Sequence, residues 1–293
     1  MAQYERGGGV PLATFRLANH PAWRRAFVGV LVLCAIAASR DAIGAVIEAR
    51  PDAWIALAIA AAILLSALVS SIAGFAFSAL AGSALAYLKM DPVRAVEVMA
   101  LCSIATQLYA VWRMRESIRW RSLWPMITAG AATIPFGVWV LVHTEGPVYA
   151  LGLGAFLTIY GCCVLLRRKT RIVRGNAWRD ALAGGLGGVA GGFAGLPAPF
   201  VAIWCSMRGL DKVQQRAIYQ PYILAMQIVT IGCLWWQAPA SVHAAQDVHL
   251  VPFALLGAIG GLALFRRMTH NQFHWVVSLL LVVSGVGLLV RAL

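Results

Sequence analysis

The sequence predicts an all-α polytopic membrane protein with two inverted-topology repeats. Each repeat is a broken or re-entrant helical hairpin followed by about three transmembrane helices, and one extra helix precedes them. Three observations lead there. The 293 residues are 61% hydrophobic and 12% charged, with a mean hydropathy of +0.77, a balance too apolar for a water-facing surface. Apolar runs of bilayer-spanning length recur along the chain. The same order of breaks and spans occurs twice, with opposite placement of the basic loops.

The elements follow in order. Residues 1–25 form a basic tail, and 26–51 a short first span and loop. The run 26–38, behind Arg24 and Arg25, also resembles a signal-peptide core with "AIAAS" as its cleavage site. The preceding 25 residues are long for a signal peptide, which favours a retained span. The first repeat, 52–168, holds apolar runs at 53–72, 95–112, 123–142 and 148–166, with a shorter run at 75–88 behind a glycine-containing break. A basic cytoplasmic linker, 169–176, leads to the second repeat, 177–293. There the runs are 217–236, 250–265 and 273–290, and a shorter one, 199–207, follows the break inside "GGLGGVAGGFAGLPAPF" (184–200).

Paired landmarks carry the duplication. "MDPVRA" (90–95) and "LDKVQQRA" (210–217) each follow a broken segment, and at the same offset of 120 Gln107 matches Gln227. Farther on, Trp124 and Pro125 match Val251 and Pro252, and His143 matches His270, at an offset of 127. Charge then sets orientation. Residues 113–121 include four arginines, whereas their partner stretch 237–249 has no Lys or Arg. Residues 143–147 have none, whereas their partner is flanked by Arg266 and Arg267. Basic loops mark the cytoplasmic face, so corresponding ends lie on opposite sides of the membrane. Inverted repeats with broken helices are the architecture of secondary transporters, with substrate held where the breaks meet. The same rule puts the N-terminus in the cytoplasm.

Backbone lacking helical hydrogen bonds cannot face lipid and must line protein or a watery cavity. In 195–199, between Gly195 and Pro199, the second limb starts with a proline in its first turn, where a missing N–H is harmless. The free amides of Ala198, Phe200, Val201 and Ala202 then point into the membrane, and such a helix start binds anions through its donors and dipole. The first-half counterpart is "SSIAGFAFS" (70–78). Gly74 permits the turn beside Phe75, and Ser70, Ser71 and Ser78 add hydroxyl donors. One dipole contributes about 0.3–2 kcal/mol, well below the cost of desolvating an anion. Side chains must therefore converge as well: Gln107 and Gln227, and Tyr219, Gln220 and Tyr222 of "YQPY", where Pro221 loosens the helix.

Plainer readings stand beside these. The glycines of 184–192 suit close helix packing, and Gln107 and Gln227 suit interhelical hydrogen bonding. Arg94 and Arg216, just past helix starts at Asp91 and Asp211, suit lipid headgroups. Glu97 is the acid deep enough to carry a coupling proton. Trp120, Trp124, Trp235 and Trp236 read as interface anchors.

The net charge of +13 sits in clusters flanking spans, which excludes a nucleic-acid groove. Six cysteines lie in apolar runs without a CxxC pair and read as small buried hydrophobes. No HExxH, GxSxG triad or Walker A lysine occurs. Neither enzyme activity nor a cofactor or metal is expected. The expected partners are a small anionic substrate and the bilayer, with a homodimer left open.

"SIAGFAFSALAGSALAYLKMDPVRAVEVMALCSIATQ" (71–107) resembles the first-repeat signature of the sulfite exporter TauE/SafE family. That signature is a Gly-Phe-rich break, an apolar limb and a "DPRRAV"-like helix start. "GLPAPF" (195–200) occupies the place of the family's GIGGPP-like second break, and the resemblance covers 53–293. The resemblance implies transport of small sulfur-containing anions such as sulfite, sulfonates and sulfoacetate, often outward across the inner (plasma) membrane. The chain departs from the family pattern at Pro197 and Ala198, which replace glycines, and at Gln107, which replaces an Asn. Two other functions fit the same residues: a non-transporting membrane scaffold or assembly protein, and an anion channel using the same site.

Overall fold

The computed structural model describes residues 51–73, 76–118, 120–165, 173, 175–210, 212–239, 244–265, 281–283 and 285–290. The N-terminal tail and first span, most of the basic linker, Asp211, Arg266, Arg267 and His270 lie outside the described residues.

Among the described residues the structure is helical and without strands. The first half comprises α1 (Pro51–Ala73), α2 (Phe77–Tyr87), α3 (Pro92–Met114), α4 (Trp120–Val142) and α5 (Gly146–Leu165). The second comprises α6 (Ala177–Ala194), α7 (Ala198–Met207), α8 (Lys212–Gln237), α9 (Ala244–Asp247) and α10 (Val251–Phe265). A further apolar helical stretch covers Leu281–Val290. Five helices (α1, α3, α4, α5 and α8) are long and apolar enough to cross a membrane. By contrast α7, at about 15 Å, reaches only half way across a hydrocarbon core of about 30 Å. Trp120, Trp124, Trp235 and Trp236 face outward. Most described cysteines are wholly or partly buried, but Cys163 is exposed.

One sequence expectation holds here and one changes. As close packing requires, the segment 184–194 is unbroken helix, and its glycines are where α6 meets α4. A Cβ on Gly184 would strike the Met126 carbonyl, one on Gly188 the Gly130 carbonyl, and one on Gly192 the Ile134 carbonyl at 2.5 Å. Thr133 adds an interhelical bond, its hydroxyl donating to Gly185 O at 2.7 Å. Such small-residue crossings are how helices pack without a hydrophobic drive between them. Pro221 likewise sits inside a continuous α8, and its neighbours Tyr219, Gln220 and Tyr222 are buried.

The α4–α6 contact has a counterpart. On α10, Gly257 meets the Leu64 carbonyl and Gly261 the Leu68 carbonyl of α1. Positions rise together on both helices in each pair, so both pairs run parallel. α3 packs on α8 at the centre, and α1 on α2 as α6 on α7.

The turn after each short helix repeats bond for bond. Leu88, Lys89 and Met90 donate to the carbonyls of Ala84, Ala86 and Leu85; Arg208, Gly209 and Leu210 donate to those of Trp204, Ser206 and Cys205. Each donor and acceptor is displaced by 120 residues. The left-handed residue is Lys89 (φ 57°) in one turn and Gly209 (φ 66°) in the other. α3 then begins at Asp91, whose carboxylate accepts from Arg94 N at 3.1 Å, with Pro92 following, a capped start of the expected kind.

A left-handed L-residue costs about 1–2 kcal/mol, partly offset by the unfolded-state entropy of glycine. Lys89→Gly is therefore expected to stabilise the protein by about 0.5–1 kcal/mol, read as a raised thermal midpoint in detergent. A lowered midpoint would contradict the strain.

Candidate functional site

The second break lies between α6 and α7. Gly195 adopts φ 66°, ψ 19° and closes α6, its N–H donating to Gly191 O at 2.9 Å while Leu196 N–H donates to Ala190 O at 3.2 Å. This is a helix-terminating motif that favours glycine. Pro197 then precedes α7, with Pro199 in the first turn. The chain doubles back, because residues at the two open ends meet. Val173 N–H donates to Met207 O at 3.0 Å. Asp180, in the first turn of α6, accepts from Trp204 Nε1 at 2.6 Å and Arg208 Nη1 at 3.4 Å. Pro197 folds against the glycine face of α6, its Cβ 3.1 Å from where a Gly191 Cβ would lie. The segment is a helical hairpin with its tip buried inside the protein.

That tip carries uncapped donors. No side chain caps α7, and Leu196, Ala198, Pro199 and Val201 are buried. Because the helix starts at Ala198, the amides of Val201 and Ala202 already bond within it, and Pro199 has none. The expected four free amides reduce to two, those of Ala198 and Phe200, and neither has an acceptor among the described residues. A buried helix start without partners is unusual, and each orphaned group costs about 1–3 kcal/mol.

α8 touches both break regions with polar side chains. Gln227, 1% exposed, donates from Nε2 to Gly195 O at 3.2 Å. Arg216 donates from Nη2 to Ser71 O at 3.1 Å, at the end of α1, and is also hydrogen-bonded to Tyr219. Arg216, Gln220, Gln227 and Thr230 lie within about 80° of one another on α8 and span about 21 Å of it. Gln220 (6%), Gln227 and Thr230 (0%) are buried. The headgroup role expected for Arg216 thus gives way to an internal contact. Arg94 does the same: its Nε and Nη2 form a bidentate pair with Asp247 at 2.9 and 2.8 Å, and Asp247 is 2% exposed.

The remaining predicted site residues divide. Ser70, Ser78 and Gln107 are buried, and α2 starts at Phe77, its N-cap Ala76 offering no side-chain cap. The Ser71 hydroxyl is committed to Ala67 O at 2.8 Å, so only its carbonyl is used across the structure. Tyr222 Oη is likewise committed, to Gly184 O at 2.6 Å. The Phe200 ring packs on Phe156 at 5.8 Å, leaving its amide as the part at the tip. Gly74 and Phe75 lie outside the described residues. Met99, fully buried on α3, sits between the two hairpins: its Cε is 3.1 Å from a Cβ position on Gly195 and its Sδ 3.0 Å from one on Gly82 of α2. Sequence reading missed Met99, and it missed the Asp180 and Asp247 pairs. The signal for those pairs was present: an acid beside otherwise apolar segments needs a partner.

A family model described as Sulfite exporter TauE/SafE matches residues 58–288. The chain belongs to this family. The match covers both hairpins and the helices after them, and it makes the chain a multi-pass protein of a membrane transporter family. No curated protein and no solved structure matches the chain. Within the TauE/SafE chain, Gly195→Ala would put a Cβ on a left-handed residue and push on Met99. The expected loss is about 1–2 kcal/mol, read as a lower thermal midpoint. An unchanged midpoint would mean that the tip is not held as described.

Proposed function

We propose that the protein is a secondary transporter, an exporter of small sulfur-containing anions such as sulfite or organosulfonates. It works by alternating access, with the anion held at the start of α7. The observation that carries this is the reach of α8: Arg216 touches the end of α1 and Gln227 the end of α6, so one buried face with a cation on it joins both break regions. Two free amides and a helix dipole fall short of an anion's desolvation cost. The Arg216 guanidinium supplies positive charge at the entry end of this face, and its paired donors suit multi-oxygen anions. In this reading the anion enters beside Arg216 and docks at Ala198 and Phe200, about 16 Å further along α8.

Opposed insertion of the halves is supported by the packing. α6, which occupies the place of α1 in the second half, runs parallel to α4, and α1 runs parallel to α10. The loop charges require the same arrangement. The Arg94–Asp247 pair joins the two halves, a contact suited to rocking one half against the other.

Glu97 is the proposed coupling group. It is fully buried, one turn from Arg94, and intramembrane acids commonly carry protons in transporters.

Two outcomes test this reading in proteoliposomes. Arg216→Ala should weaken saturable uptake of labelled sulfite or sulfonate by about 10- to 100-fold, the worth of a charged hydrogen bond, with Arg216→Lys intermediate. Linear, non-saturable flux would favour a channel, and no flux for any sulfur anion would favour a scaffold. Glu97→Gln should abolish substrate-driven proton movement, read with an internal pH dye, while substrate binding persists. Undiminished proton movement would remove Glu97 from the mechanism.

A further inference from the structure

At the α7 start, donors face one way and an acceptor is left over. Gln227 is almost completely buried and spends its Nε2 on Gly195 O, and its Oε1 has no partner among the described residues. The amide cannot be turned round without setting two acceptor oxygens against each other, so the Gly195 carbonyl fixes which end is free. A buried carbonyl oxygen without a donor is a costly arrangement. The two amides awaiting an acceptor, on Ala198 and Phe200, begin three residues beyond Gly195. Two turns earlier on the same face of α8, Gln220 Oε1 is also buried and unpartnered among the described residues.

We infer that the ligand carries a hydrogen-bond donor next to its anionic group, and that Gln227 reads that donor. The inference rests on the anion-site reading above. The anionic oxygens take the Ala198 and Phe200 amides, and a hydroxyl or ammonium on the same molecule donates to Gln227 Oε1. Hydrogensulfite and hydroxy- or amino-alkanesulfonates satisfy both sides. Sulfate, dianionic sulfite and plain alkanesulfonates satisfy only the donors and leave the oxygen unpaired. A cation is a poor occupant for the same oxygen. Gly195 O is already engaged, one side-chain oxygen falls far short of a metal's usual shell, and the adjoining helix start is the positive end of a dipole.

Calorimetric titration of the full-length protein in detergent, at fixed salt and in sodium and potassium buffers, tests this with a matched pair. 2-Hydroxyethanesulfonate should bind at least about tenfold more tightly than ethanesulfonate, because a site built to hydrogen-bond a hydroxyl rejects the analogue lacking it. In Gln227→Leu the ratio should fall below about threefold. Gln227→Met gives the same readout if the leucine variant does not fold. Equal binding of the two sulfonates to the wild-type protein overturns the donor inference while the anion site stands. A sodium requirement without discrimination between them also overturns it, by assigning the oxygen to a cation. No binding of either sulfonate in either buffer removes the anion site itself, and the inference with it.

Discussion

A polypeptide that stops being helical in the middle of a bilayer leaves amides and carbonyls that lipid cannot satisfy, and this constraint organises the molecule. The break at Gly195 meets it in three ways. The α6 carbonyls are closed by the Gly195 and Leu196 amides, the Gly195 carbonyl is taken by Gln227, and prolines delete two of the amides that would open α7. What is left unsatisfied is small and localised: two amides and one side-chain oxygen. These are the groups that the proposed anion site uses.

Holding such a tip in place demands rigid walls. The α4–α6 and α1–α10 contacts supply them through glycines set against facing carbonyls, an approach no larger residue permits. At the other end the hairpin is pinned by Asp180 with Trp204 and Arg208. Arg94 and Asp247 tie the halves together elsewhere, with a geometry that breaks as a unit because a bidentate pair loses both bonds together. Hairpins joined by separable ionic contacts are what the proposed rocking mechanism calls for. In that proposal the α8 stripe gives the anion a polar route through an otherwise apolar interior.

Much of this was legible in the sequence. Span positions followed from run length, the Asp91 cap from its Pro92 neighbour, and the duplication from landmarks 120 residues apart; the paired left-handed residues Lys89 and Gly209 emerged only in the structure. The TauE/SafE resemblance rested on the same short motifs. What was not legible concerns direction and distance. The glycines of 184–192 read as a packing face, but periodicity cannot say which carbonyl ridge they meet. Nor can it say that the helix starts at Ala198, which consumes two amides expected to be free. Arg216 and Arg94 lie near helix starts in sequence, where headgroups are the ordinary partners. Only the packed structure brings Ser71 and Asp247 to them, from 145 and 153 residues away. The roles of Tyr222 and Ser71 turned on which single acceptor each hydroxyl reaches, and sequence carries no record of that.

The account comes down to whether an anion sits at the start of α7. Diffraction from crystals grown with 2-hydroxyethanesulfonate, collected at a wavelength where sulfur scatters anomalously, locates the ligand's sulfur directly against the known cysteine and methionine positions. The expected result is a non-protein sulfur peak whose oxygens lie within hydrogen-bond distance of the Ala198 and Phe200 amides. A peak elsewhere in the protein, or a main chain running straight from α6 into α7, would contradict it.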